Sequence, residues 1–343
     1  MKRILFFIVL LAFGFRASEN IKLEKPKGWP DPEIAYALNS QQIQLGRMLF
    51  YDPVLSADGM VSCASCHSPY NAFAHTDHAL SHGIGDQIGK RNAPALMNLA
   101  WRKDFMWDGS ISSLNAQIAF PINHPHEMGS SLDSIPQKLI TIGGYAPYFE
   151  TAFGDSTITT SRITSSISQF ILSLMSSSSK YDKVLNGEKV FADQESKGYV
   201  LFKKNCSGCH AEPLLTTNGF GRNNLPINSD LNDVGRYAIT KDSSDYLSFR
   251  IPSLRNIEHT YPFMHDGRFK SLWQVMDHYS NAGALTLLDG RMQEPIVLNE
   301  NEKVDLMAFL LTLTDKDFLF NPDYGYPAKL FQEKNNQTLN MKK

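Results

Sequence analysis

Val61-Ser62-Cys63-Ala64-Ser65-Cys66-His67 decides how the whole chain is read. Two thiols three residues apart can each add across a vinyl group of one haem. The histidine that follows turns its imidazole to the iron, so Cys-x-x-Cys-His is the pattern of c-type haem attachment. It returns as Cys206-Ser207-Gly208-Cys209-His210, and the two motifs contain all 4 cysteines of the chain. None is left for a disulfide or a free nucleophile. A redox dithiol would not need the adjacent histidine, and a zinc site would want its second pair closer. The reading is two covalently held haems, one on Cys63, Cys66 and His67, the other on Cys206, Cys209 and His210.

With 343 residues and 42% apolar composition, the chain can bury two cores of ordinary domain size. A formal charge of −2 with interspersed signs gives no argument for nucleic acid. Lys2 and Arg3 precede an apolar run from Ile4 to Phe15, with small residues at Gly14, Ala17 and Ser18. That is the layout of a secretory signal peptide over residues 1–18, and the run is short for a stable membrane span. An uncleaved anchor is the alternative. Export agrees with c-type haem attachment, which takes place beyond the bacterial inner membrane, so the expected location is the periplasm.

Ahead of each haem motif stands the same helical word, Gly46-Arg-Met-Leu49-Phe50 and then Gly198-Tyr-Val-Leu201-Phe202. This is an internal repeat. The first of these helices carries Ile43, Leu45, Met48 and Leu49 at helical spacing, with Ser40 placed to cap it. Further helices are expected over 114–120, 163–174, 271–280 and 300–313, with a long polar loop at 211–248. Asn186-Gly187 reads as a turn. The predicted class is all-α: two cytochrome-c-like helical domains, 19–187 and 188–325, each enclosing one haem. A polar tail, 326–343, is expected to fray.

The words around the motifs are more specific than the motifs. Arg91-Asn92-Ala93-Pro94, Met106-Trp107-Asp108-Gly109 and Pro121-Ile-Asn-His-Pro-His-Glu127-Met-Gly129 follow the first haem site. Arg250-Ile-Pro-Ser-Leu-Arg-Asn-Ile257 and Tyr261-Pro-Phe-Met-His265-Asp-Gly267 follow the second. Together they resemble the bacterial dihaem cytochrome c peroxidases and their relative MauG, over most of residues 35–320. On composition alone Glu127 is an exposed loop acid, Gln117 a solvated helix residue, Trp107 a core aromatic and Asn92 a turn residue. The resemblance implies other roles. Glu127 falls on the family's proton-shuttling acid, Gln117 on its distal glutamine, and Pro121 on a proline that shapes the pocket. Trp107 falls on the tryptophan between the haems. Asn92, with carbonyls of Thr260 and Pro262, falls on a calcium site of hard oxygen donors.

Two positions depart from the reductively activated members. Where those carry a displaceable distal histidine, this chain has Ile84, which cannot ligate iron, with His75, His78 and His82 nearby. Where the electron-transfer haem of ordinary members takes a methionine, fourteen residues after His265, this chain has Tyr279, as MauG does. Met276 and His278 are its rivals as ligand.

The resemblance thus implies a periplasmic dihaem peroxidase that reduces hydrogen peroxide to water, with electrons from a small cytochrome c or cupredoxin. The alternative is a MauG-like oxidase that uses the oxidising equivalents of peroxide on a protein or small-molecule substrate. A plain electron-transfer cytochrome would need neither Gln117 nor Glu127. A homodimer is among the associations to be expected.

Overall fold

Two helix pairs of the same construction carry the fold. A computed structural model describes residues 20–22, 24–34, 37–283, 285–286 and 292–341, so the expected signal segment lies outside the described residues. In chain order the helices of the first half are α1 Ser40–Tyr51, α2 Cys63–Cys66, α3 Leu114–Asn123, α4 Ile135–Ile142, α5 Ala146–Phe153 and α6 Thr160–Ser173. Then come α7 Lys180–Leu185, α8 Asp193–Asn205, α9 Tyr237–Thr240, α10 Leu272–Asn281, α11 Glu300–Leu311, α12 Lys316–Leu319 and α13 Ala328–Met341. The described strands form three antiparallel two-stranded pairs, the longest with three residues a strand. The chain is mostly helical with little sheet.

The repeated Gly-x-x-Leu-Phe word has a packing cause. α1 crosses α6 at Gly46, where a Cβ would lie 1.8 Å from the Ser166 carbonyl oxygen. α8 crosses α11 at Gly198, where a Cβ would lie 2.0 Å from the Asp305 carbonyl oxygen. Only glycine lets either pair of backbones approach so closely. Four residues on, Phe50 and Phe202 are fully buried, against Phe170 at 5.2 Å and Phe309 at 5.0 Å between ring centroids. The N-cap of α1 is Asn39, whose side chain accepts from the Gln41 and Gln42 N–H groups. Ser40, expected to cap, is the first helical residue, because the longer amide of Asn39 already satisfies both donors.

Two apolar clusters result, one on α1 and α6 and one on α8 and α11. Tyr181 already packs in the second cluster, edge-on to Phe309. The change of core therefore falls between Leu174 and Tyr181, ahead of the Asn186-Gly187 turn. Phe318 and Leu319 return to the first cluster. The polar tail differs from its expected fraying. α13 docks on the first half because Lys334 is buried and donates to Asp52 at 2.9 Å and to the Tyr145 hydroxyl at 3.0 Å. Tyr145 in turn donates to Asp52 at 2.6 Å.

Candidate active site

Both motif histidines are prepared for a metal. His67 follows the one-turn helix α2, and its Nδ1 lies 2.6 Å from the Phe73 carbonyl. A carbonyl can only accept, so Nδ1 carries the proton and Nε2 keeps its lone pair. His210 follows a turn in which its N–H reaches the Cys206 carbonyl at 2.9 Å. Its Nδ1 faces two carbonyls, Pro252 at 3.1 Å and Leu215 at 3.2 Å. Burial pushes both imidazoles down to about 4, so each is neutral at ordinary pH. Burial pushes the thiols of Cys63 and Cys206 up to about 12 and that of Cys66 to about 11. A reactive dithiol or a zinc thiolate would want the opposite shift. The residues fit two histidine-ligated haems.

The second motif opens on a cavity of about 200 Å³. Its wall includes Leu272, Val275, Met276 and Tyr279, the i, i+3, i+4, i+7 stripe of α10. Tyr279 shares this cavity with Cys206, Cys209 and His210, and burial pushes its phenol up to about 12. His278 is not part of the wall, and its Nε2 is engaged by the Asn223 carbonyl at 2.8 Å. Met276 stays in the wall beside Tyr279.

On the first side, Gln117 and Pro121 lie one turn apart on one face of α3. Proline has no N–H to give the Gln117 carbonyl, and its own carbonyl instead accepts from Met128 at 3.0 Å. That bond folds the 124–129 loop back over the end of α3. Glu127 is thereby held with 31% of its side chain exposed, 3.9 Å from His124 Nδ1. Burial raises its carboxyl to about 6. Its charge is also felt at the Cys66 thiol, which places it beside the first attachment site. Gln117 Oε1 is buried with no hydrogen-bond partner. Ile84 closes on this loop, its N–H donating to the Glu127 carbonyl at 2.8 Å and its side chain lying over Gly129. His78 and His82 stack at 4.0 Å, and buried His75 Nδ1 lacks a partner.

Trp107 joins the two sides. Its indole N–H donates to the Asn92 carbonyl at 2.8 Å, and the main chain of nearby Pro94 reaches the His67 imidazole. The ring also borders the His210 cavity. Arg91 fixes this region, donating to Asp108 at 2.6 Å and to Asp233 at 2.6 and 2.9 Å. Asn92, Thr260 and Pro262 line one smaller cavity of about 70 Å³. They bring neutral oxygens only, and among the described residues no cluster of three or more His, Cys, Asp or Glu could hold a metal ion. The sequence reading missed two arginines in that cavity wall, Arg102 and Arg250. Their signal is a guanidinium inside an apolar word, Leu99-Ala-Trp-Arg102 and Phe249-Arg250-Ile251.

Comparison with known proteins identifies the family. A family model described as di-haem cytochrome c peroxidase matches residues 40–190. The methylamine utilization protein MauG of Methylorubrum extorquens is 34% identical over 303 residues, 87% of this chain and 84% of that protein. The cytochrome c551 peroxidase of Nitrosomonas europaea is 34% identical over 306 residues, 88% of this chain and 86% of its own length. The crystal structure of a MauG-like protein associated with microbial copper homeostasis superposes with a TM-score of 0.79 at 30% identity, covering 90% of this chain and 99% of that one.

Proposed function

The chain belongs to the dihaem cytochrome c peroxidase and MauG family, and on that premise we propose how its residues divide the work of an oxidoreductase acting on hydrogen peroxide. The family carries two haems. Here Cys63, Cys66 and His67 would hold the peroxide-reactive one, and Cys206, Cys209, His210 and Tyr279 the electron-transfer one. Bound haem supplies an iron that takes peroxide and accepts its two oxidising equivalents.

The observation that carries the assignment is Glu127, a desolvated carboxyl beside the first attachment site with the orphaned Gln117 Oε1 on the neighbouring helix face. The Glu127 carboxylate accepts the proton of the near peroxide oxygen and returns it to the far one, which leaves as water. Gln117 Oε1 accepts the remaining O–H and orients it. Pro121 keeps the turn of α3 apolar at the pocket. Trp107 passes electrons between the two sites, and two electrons with two protons complete the second water. A small cytochrome c or cupredoxin supplies those electrons in the periplasm. Asn92 with the Thr260 and Pro262 carbonyls would be the hard oxygen donors to a calcium ion between the two haem sites.

A second reading is favoured by one feature. Tyr279 lies in the His210 cavity where a methionine would suit a high-potential electron acceptor. A hard, anionic phenolate favours ferric and higher states instead. With Tyr279 ligating, the protein leans toward oxidising a protein or small-molecule substrate, as a MauG-like oxidase. The test is steady-state peroxide consumption with reduced cytochrome c or cupredoxin. Rapid donor oxidation selects the peroxidase reading, and peroxide uptake without donor turnover selects the oxidase. No peroxide uptake by a protein carrying two haems contradicts both.

A further inference from the structure

The two arginines missed in the sequence raise a charge problem that the protein alone does not solve. Arg250 is 2% exposed and Arg102 is 7% exposed. Both line the cavity of about 70 Å³ beside Trp107, and Arg250 also lines the His210 cavity. No aspartate or glutamate lines either cavity. The carboxylates of Asp108 and Asp233 are already engaged by Arg91, and that of Asp266 by Arg268. Arg250 Nε donates to the Met106 carbonyl at 3.0 Å, but its Nη1 is buried without any acceptor. Burial, then the charge of Arg250, hold the Arg102 guanidinium well below its ordinary range. Two buried like charges with no acid between them are unfavourable unless an anion completes the site.

The anionic groups of a haem are its two propionates, and a guanidinium is shaped to grip a carboxylate with two parallel N–H donors. We propose that Arg102 and Arg250 form a carboxylate clamp that takes a haem propionate at the junction of the two haem sites. The inference rests on the dihaem reading. Arg250 lies 5.7 Å from the centroid of the Trp107 ring, so the same propionate would offset a cation that otherwise opposes oxidation of the indole. Either haem could supply the carboxylate, from the His67 side or the His210 side.

The test uses the holoprotein and the variants Arg250→Met, Arg102→Met and Arg250→Lys. Haem content is measured first, so that a parent without two haems refutes the functional reading and not the clamp alone. Reduction potentials of both haems are then taken by spectroelectrochemistry, and the propionate bending bands by resonance Raman. Both methionine variants should keep their haems through the thioether bonds. Each should lower the potential of the same haem, since a lost cation favours ferric iron, and move its propionate band. Arg250→Lys should shift both less. The haem that responds identifies the source of the carboxylate. Unchanged potentials and bands in well-folded variants overturn the clamp, leaving a free anion or a purely structural pair. Should the variants fail to fold, the parent still decides: propionate bands of fully solvated carboxylates overturn it.

Discussion

Replacing Glu127 by glutamine is the perturbation that most sharply separates a proton shuttle from a loop acid. The amide keeps the size and polarity of the side chain but cannot take a proton between pH 5 and 8. Burial holds the carboxyl of Glu127 at about 6, so at pH 7 about nine-tenths of the parent is ionised and ready to accept, and at pH 5 about one-tenth. A positioned acid–base group contributes about 10²–10⁴-fold, which is about 3–5 kcal/mol of barrier. Glu127→Gln should therefore slow the bimolecular reaction with peroxide by that factor at pH 7. The gap should narrow about tenfold at pH 5, because the parent loses its base as the carboxyl protonates. Stopped-flow mixing of the ferric protein with peroxide, from pH 5 to 8, measures both. The parent rate should bend near pH 6, and the variant rate should be flat. Equal rates, or the same bend in the variant, would show that Glu127 does not handle the proton.

Three further perturbations follow from packing and ligation. Gly46→Ala and Gly198→Ala each force a methyl group onto a facing carbonyl at 1.8 or 2.0 Å, so the helix pairs must separate. Denaturant unfolding of the holoprotein should show losses of about 1–3 kcal/mol or more. Lys334→Met leaves Asp52 buried with only the neutral donors of Tyr145 and the Val54 N–H, and should cost about 3–5 kcal/mol in the same assay while sparing both haem spectra. Tyr279→Phe should change the spectrum and raise the potential of the His210 haem, whereas Met276→Ala should not. A weak near-infrared methionine–ferric band in the parent, lost in Met276→Ala, would give the ligand role to Met276.

What could be read in advance depended on whether the chemistry is local. Cys-x-x-Cys-His is a covalent pattern within five residues, and its meaning survives any tertiary setting. The Gly-x-x-Leu-Phe repeat was visible too, but its cause was not. Only the crossing of α1 with α6 and of α8 with α11 explains why the first residue must be glycine. The rest depended on distant partners. Lys334 reads as a solvated tail residue until Asp52 and Tyr145, from far earlier in the chain, meet it. Tyr181 reads as part of the first half until Phe309 is placed beside it. Helices α4 and α5 went unread among Pro- and Gly-rich loops because each has only eight residues. Arg102 and Arg250 were missed because an arginine is ordinarily a surface residue, and nothing local says that both lie buried without an acid.

With Ile84 in place of a displaceable histidine, the His67 site should react with peroxide without prior reduction, while Tyr279 should keep the His210 site closed to it. The most direct measurement is the EPR spectrum of the fully oxidised protein before and after one equivalent of hydrogen peroxide. A high-spin ferric signal is expected from the His67 haem and a low-spin signal from the His210 haem, with the high-spin signal lost on mixing. Two low-spin signals that peroxide leaves unchanged until one electron is added would contradict it. In that case a nearby histidine, not Ile84, would govern the first site.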